Sequence, residues 1–160
     1  FNNFKKISRK KLMLSEDKKM QIALIADDNK KELMTQFCIA YCGILAKHEL
    51  CATGTTGKMI SEATGLRVEK LMAGTVGGAE QVIGRIEYDE IDMLLYFRNT
   101  TVLDGKIRGS VVDEQMLLMC DKKNVPLATN IATAEALIMA LDRGDLAWRE
   151  IVNPRYSGKR

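Results

Sequence analysis

Short apolar runs alternate with segments of helical periodicity along this chain, and that alternation decides what it can fold into. Residues 21–26 read QIALIA, with no polar residue after Gln21. A run of that kind suits a strand covered on both faces. Residues 49–53 (ELCAT), 67–71, 91–97 (IDMLLYF) and 125–129 (VPLAT) are further candidate strands. Helical patterns fall between them, over about 30–46, 58–63, 79–88, 111–123 and 132–142. In the first of these, Leu33, Phe37, Tyr41, Ile44 and Leu45 recur at helical spacing. Strands alternating with helices imply an α/β fold: a mainly parallel central sheet in a three-layer α/β/α arrangement. The run at 91–97 is the most hydrophobic and is expected at the centre of the sheet.

The punctuation between these elements is specific. Asp27-Asp28-Asn29 offers N-cap chemistry to the first helix. Gly54-Thr55-Thr56-Gly57 reads as a turn, Gly65 stops the helix that follows, and Asn130 caps the last helix before Gly144 ends it. Residues 98–110 read as a long polar loop with turns at Asp104-Gly105 and Arg108-Gly109. The 160 residues suit one domain. They divide into a basic extension (1–19), a folded domain (20–152) and an irregular tail (153–160). The chain opens at Phe1, and Met20, just ahead of the first strand, is a candidate native start.

Charge is unevenly placed. Residues 1–19 carry seven lysines and arginines against two acids, leaving 17 bases (24 − 7) against 19 acids (21 − 2) in the remainder. The folded part is mildly acidic, and a solvated basic leader is the reading we adopt for 1–19. Neither an aromatic stacking pattern nor zinc spacing accompanies it, so nucleic acid is not an expected partner. No apolar run reaches the roughly 18 residues of a membrane span, and none forms a secretory signal. Cys38, Cys42, Cys51 and Cys120 form no CxxC, and a single histidine, His48, is not enough to complete a zinc site with them. Buried thiols in a reducing cytoplasm, with no metal and no cofactor, are expected. His48, near the end of the first helix, is expected at the surface or as a C-cap.

In a parallel α/β sheet, ligands bind beyond the carboxyl ends of the strands. The loops at 26–31, 53–57, 73–79, 98–110 and 129–133 all fall there. Thr53-Gly54-Thr55-Thr56-Gly57 joins a strand to a helix N-terminus. Glycines let backbone N–H groups converge, threonine hydroxyls add donors, and the helix dipole favours an anion. Lys31 supplies a counter-charge, and Gly74-Thr75 with Gly77-Gly78 offers a second set of backbone donors. The pattern is not GxxxxGK[ST], so this is an anion cradle and not a nucleotide P-loop.

These residues carry a resemblance. The segments IALIADDNKK (22–31), ATGTTGKMISEATGL (52–66), GGAEQ (77–81), EIDMLLYFR (90–98) and NVPLATNIATAEALI (124–138) resemble the methylglyoxal synthase family. The likeness runs over about residues 21–152. It implies a compact Rossmann-like α/β domain assembled as a homohexamer. It also implies elimination of phosphate from dihydroxyacetone phosphate, giving methylglyoxal and inorganic phosphate without metal or cofactor. The same kind of domain serves as a ligand-binding regulatory module in carbamoyl-phosphate synthetase. Lys31, Thr53, Thr55 and Thr56 match positions that grip phosphate in the family, and the family's Ser-Gly appears as Ala73-Gly74. A C-terminal arginine that crosses to a neighbouring subunit corresponds to Arg155 or Arg160.

The positions that do chemistry in the family differ here. Where it has GGDQQ, with the aspartate as base, this chain has Gly77-Gly78-Ala79-Glu80-Gln81. AHD becomes Ala26-Asp27-Asp28, and FFRDP becomes Tyr96-Phe97-Arg98-Asn99-Thr100. The family's PHEPD loop has no counterpart in residues 100–113. Proton abstraction next to a carbonyl needs a base and a partner that stabilises the enediolate. The family positions Asp27, Ala79 and Asn99 therefore give no secure catalytic set. The sequence leads us to expect a protein that binds a small phosphorylated metabolite or inorganic phosphate with impaired or regulatory function, possible partner of an active paralogue. The alternative is a working lyase with a substituted base. Glu80, beside the vacated position, is one substitute, and Asp27, Asp28, Asp104 and Asp113 are others, with Arg98, Lys106 and Arg108 to offset their charge.

Overall fold

The structure is a computed structural model, and it describes residues 19–100, 102, 103, 106, 107 and 111–146. The basic extension up to residue 18, Asp104 and Arg108, and the tail with Arg155 and Arg160 lie outside the described residues.

Five strands form one parallel sheet: β1 (Gln21–Ala26), β2 (Glu49–Thr53), β3 (Val68–Leu71), β4 (Met93–Phe97) and β7 (Leu127–Ala128). Their order is β3-β2-β1-β4-β7. The apolar QIALIA segment, not the more hydrophobic β4, takes the middle position. Ile22 to Leu24 lie level with Leu50 to Ala52 of β2 on one side and with Met93 to Leu95 of β4 on the other. Both strands are covered on two faces, so hydropathy did not separate them. The connections decided the order. Two short strands, β5 (Val102–Leu103) and β6 (Lys106–Ile107), form an antiparallel pair within the segment expected to be an irregular loop.

Alternation along the strands builds two cores. Ile22, Leu24 and Ala26 point to one face, against Met34, Phe37 and Cys38 of α1 (Lys31–Ala40). Ile60 of α3 (Gly54–Thr64) and Ala134, Ile138 and Leu141 of α6 (Ile131–Asp142) complete that layer. Ala23 and Ile25 point to the other face, against Val82 and Ile86 of α4 (Gly78–Glu87) and Met116 and Cys120 of α5 (Val111–Lys123). The three-layer α/β/α arrangement follows from this period-two division.

Local chemistry explains most boundaries. Asn130 caps α6, accepting from the Thr133 N–H at 3.0 Å. Gly65, at φ 73°, ends α3 in the left-handed conformation that glycine adopts most readily. The helix expected over 30–46 is interrupted. α1 ends at Ala40, Tyr41 leaves helical angles (φ −110°, ψ 22°), and a single turn, α2 (Cys42–Leu45), follows. Gly43, a weak helix former, stands at that break.

Two polar contacts fix the start of β1. The Asp92 carboxylate, 1% exposed, accepts from the Gln21 N–H at 2.7 Å. His48 is half-buried rather than exposed, and caps no helix: its Nδ1 accepts from the Met20 N–H at 3.1 Å. Burial lowers its pKa, and the neighbouring Lys47 charge adds to that. Cys38, Cys51 and Cys120 are buried, Cys42 is partly so, and all four are free thiols. Burial pushes the Cys38 thiol up to about 12 and Cys51 up to about 11, which makes both poor nucleophiles.

Candidate functional site

A cavity of about 800 Å³ opens at the carboxyl ends of β1, β2 and β4. This is where a parallel α/β sheet places ligands. Its walls come from four loops. Asp27, Asp28 and Lys31 follow β1; Thr53 and Thr55 follow β2. Ala73, Gly74 and Thr75 follow β3, with Ala79 from α4. Tyr96 and Asn99 come from the end of β4, and Asp113 from the first turn of α5. Lys31, Thr53, Thr55 and Gly74 of the expected anion cradle are thus brought together.

The TGTTG segment differs from expectation in one respect. It is not a turn preceding a helix: α3 begins at Gly54, so the segment is the helix's first turn. Thr53 stands at the N-cap position but its side chain caps nothing. The Gly54 N–H is taken by the Met72 carbonyl at 3.3 Å. Thr56 does not line the cavity. It is fully buried, and its Oγ1 has no hydrogen-bond partner among the described residues. Such an orphaned hydroxyl costs free energy unless something accepts or donates to it. It sits on the helix turn where the dipole and open N–H groups favour an anion.

Lys31 is 21% exposed at the side chain, and its Nζ donates to Asp28 Oδ1 at 2.6 Å. The Lys31 hydrogen bond and charge hold the Asp28 carboxyl below its ordinary range. Asp28 is 92% exposed at its side chain, so an anion competing for Lys31 displaces a partner that water readily solvates.

The loop after β3 corrects another expectation. It contains a 3-10 turn, Gly74–Val76, and the Val76 and Gly78 N–H groups both donate to the Ala73 carbonyl at 3.0 Å. Gly78 therefore has no backbone donor to offer. It is needed for another reason: a Cβ there would lie 2.2 Å from the Met72 carbonyl oxygen. The Met72 N–H in turn donates to Gln81 Oε1 at 3.0 Å, tying the loop to α4. Ala79 faces the cavity with a methyl group, whereas Glu80 is exposed and does not line it. One residue on a helix is a turn of about 100°, so the neighbouring carboxylate points elsewhere.

Two of the cavity's carboxylates, Asp27 and Asp113, are organised around Tyr96. Asp27 caps no helix; its Oδ2 accepts from the Asn99 N–H at 2.6 Å. The Asn99 side chain accepts from Asn29 Nδ2 at 2.9 Å. The Tyr96 hydroxyl donates to Asp113 Oδ1 at 2.5 Å and stands 3.5 Å from Asp27 Oδ1. Burial raises the Tyr96 pKa, the hydrogen bond to Asp113 adds to it, and the Arg98 charge opposes it. Tyr96 thus stays a neutral phenol at physiological pH. Sequence reading missed Tyr96. The available signal was one hydroxyl at the carboxyl end of an otherwise apolar strand. Asp27, Asp28 and Asp113 do enter the cavity; Arg98 is not among its lining residues.

His48, at the opposite end of the sheet, takes no part. No cluster of three His, Cys, Asp or Glu side chains suited to a metal occurs among the described residues, and none of the described helices is long and apolar enough to cross a membrane.

No family model matches the chain. Curated relatives do. A methylglyoxal synthase of Caldicellulosiruptor saccharolyticus is 57% identical over 136 residues, 85% of this chain and 94% of its own length. The chain belongs to the methylglyoxal synthase family. A methylglyoxal synthase of Oceanobacillus iheyensis is 48% identical over 136 residues, covering 85% of this chain and 95% of its own. The crystal structure of methylglyoxal synthase from Elizabethkingia anophelis superposes with a TM-score of 0.67 at 32% identity. That match covers 75% of this chain and 77% of the other. The three-layer α/β/α architecture is thus consistent with that of a solved methylglyoxal synthase.

Proposed function

We propose that the cavity binds a small phosphorylated ketone of the dihydroxyacetone phosphate type and eliminates phosphate from it to give methylglyoxal. One observation carries this reading: an anion cradle and proton-accepting carboxylates line the same cavity. Lys31, Thr53, Thr55, Gly74 and the α3 N-terminus suit the phosphate. Asp27 and Asp113 supply carboxylates that the vacated position at Ala79 does not. The names of the relatives support the same chemistry.

The reaction sets clear demands. A base takes a proton from the hydroxymethyl carbon, and the electron pair forms the enediolate. Loss of the hydroxyl proton then drives the C–O bond to break, releasing phosphate and leaving the enolate of methylglyoxal. That enolate gains a proton at carbon, and the leaving phosphate gains another. Two protons leave the substrate and two return, so neither metal nor redox partner enters the balance.

A second reading has its own support: binding retained and chemistry lost. Ala79 presents a methyl group to the cavity, and Asn99 holds a neutral amide against Asn29. A regulatory protein that binds the metabolite, alone or assembled with an active paralogue, follows from that reading. Either reading carries the expectation of a homohexamer, supported by the exposure of Met72 (53%) and Val76 (61%) on the loop beside the cavity. Light scattering tests it.

A phosphorus NMR time course of dihydroxyacetone phosphate with near-stoichiometric protein separates the two functions. Phosphate release that disappears in a Thr55→Ala/Thr56→Ala variant supports the lyase. A broadened substrate signal without release supports the binding protein. An unchanged spectrum rejects both.

A further inference from the structure

The lyase reading leaves open which groups move the protons, since Glu80 points away from the cavity and Ala79 has nothing to offer. We propose that Asp27, Tyr96 and Asp113 form an acid–base relay, with Asp27 as the proton-abstracting carboxylate and Tyr96 passing the proton on to Asp113. The proposal rests on the elimination reading and deepens it.

The geometry supports each role. The three side chains come from three elements: the loop after β1, the end of β4 and the first turn of α5. All three line the cavity that also holds the phosphate cradle. Asp27 is oriented by the Asn99 N–H on Oδ2, which leaves Oδ1 toward Tyr96 at 3.5 Å. The Tyr96 hydroxyl already donates to Asp113 at 2.5 Å, the arrangement a proton needs to pass from one carboxylate to the other. When Asp27 gains a proton from carbon, its carboxyl O–H donates to the phenol oxygen while the phenol proton moves to Asp113. Asp27 is then free again to receive the proton from the substrate hydroxyl. The relay holds both protons, and the same path returns one to the leaving phosphate and one to the product carbon. Two carboxylates bridged by a phenol match the two-proton demand of the elimination.

The test uses the whole chain with dihydroxyacetone phosphate in deuterated water. Proton NMR follows loss of the hydroxymethyl signal by solvent exchange, and phosphorus NMR follows phosphate release. The proteins compared are the wild type, Asp27→Asn, Tyr96→Phe and Glu80→Gln. Removal of a general base costs about 10²–10⁴-fold in rate. We expect Asp27→Asn to lose at least 100-fold in both signals. Tyr96→Phe loses 10-fold or more, with a changed pH–rate profile. Glu80→Gln matches wild type. The rise in melting temperature with inorganic phosphate remains in Asp27→Asn and Tyr96→Phe, which shows that both are folded and that the cradle is intact. Wild-type turnover that persists undiminished in Asp27→Asn or Tyr96→Phe overturns the relay and leaves the lyase reading standing. A wild type that binds phosphate but shows neither exchange nor release overturns the lyase reading, and the relay with it.

Discussion

Two glycines of one helix respond to the same substitution in opposite directions. Gly78 is the first residue of α4 and Gly84 lies inside it. A Cβ on Gly78 would stand 2.2 Å from the Met72 carbonyl oxygen and 3.0 Å from both the carbonyl carbon and oxygen of Ala73. All three are backbone atoms, so no side-chain rotation relieves the clash. Overpacking costs about 1–3 kcal/mol, and with rigid partners the upper end applies. Alanine returns at most about 1 kcal/mol of helix propensity. The net loss for Gly78→Ala is about 2 kcal/mol. At Gly84 a Cβ meets nothing within 4 Å. There only the propensity gain remains, about 0.5–1 kcal/mol. At about 4 °C per kcal/mol for a domain of this size, Gly78→Ala melts about 8 °C below wild type and Gly84→Ala about 2–4 °C above it. Thermal melts followed by circular dichroism read both values. Gly78 also joins the Gly74 loop to Ala79, two walls of the cavity. Gly78→Ala therefore weakens the phosphate-induced rise in melting temperature without touching the ligand. A Gly78→Ala protein that melts at or above the wild type refutes the reasoning.

Phosphate at 100 times its dissociation constant stabilises a native state by about 2.7 kcal/mol; the Thr55→Ala/Thr56→Ala variant loses most of the corresponding rise of about 10 °C, measured in phosphate titrations by scanning fluorimetry. Asp92→Ala removes a buried carboxylate that accepts from the Gln21 N–H at 2.7 Å, and urea denaturation shows a loss of about 2–3 kcal/mol. His48 titrates at about 6.5 in the unfolded chain and lower in the fold, because burial disfavours its charged form. The unfolded state therefore binds more protons below that value, and stability falls as pH drops from about 6.5 toward the folded pKa. Melts at pH 7 and pH 5.5 show that loss in the wild type and a smaller one in His48→Gln, whose amide oxygen still accepts from Met20.

The sheet was legible in the sequence because its cause is local. Each strand is a short apolar run, and a strand covered on both faces needs little else to declare itself. Strand order was not legible, since β1 and β4 carry the same signal and their places depend on which way each connection crosses. The break at Tyr41 was hidden because its neighbours continue the apolar spacing through Ile44 and Leu45. Residue type suggests a helix cap at Asp27, but its side chain caps nothing. Its carboxylate instead meets an N–H 72 positions away, at Asn99, which no local rule reaches.

The same distinction runs through the site. Part of the proposed phosphate cradle is one strand end and one helix turn, so the segment Thr53 to Gly57 announces it, while Lys31 and Gly74 reach the same cavity from other loops. The proposed acid–base groups come from three distant segments. Asp27 and Tyr96 are 69 positions apart, and Asp113 lies 17 beyond Tyr96 across the β5–β6 pair. Substituting Ala79 removes a group at one point; a replacement must then arise wherever the fold brings other groups into the same cavity. A sequence comparison position by position registers the loss at once. A replacement of the kind we propose is visible only when β4 and the start of α5 are seen to bring Tyr96 and Asp113 to the cavity beside Asp27. The proposed binding site thus draws in part on one local motif, whereas the proposed proton transfer depends wholly on the tertiary structure, and the two are separable by mutation: Thr55 and Thr56 for the first, Asp27 and Tyr96 for the second.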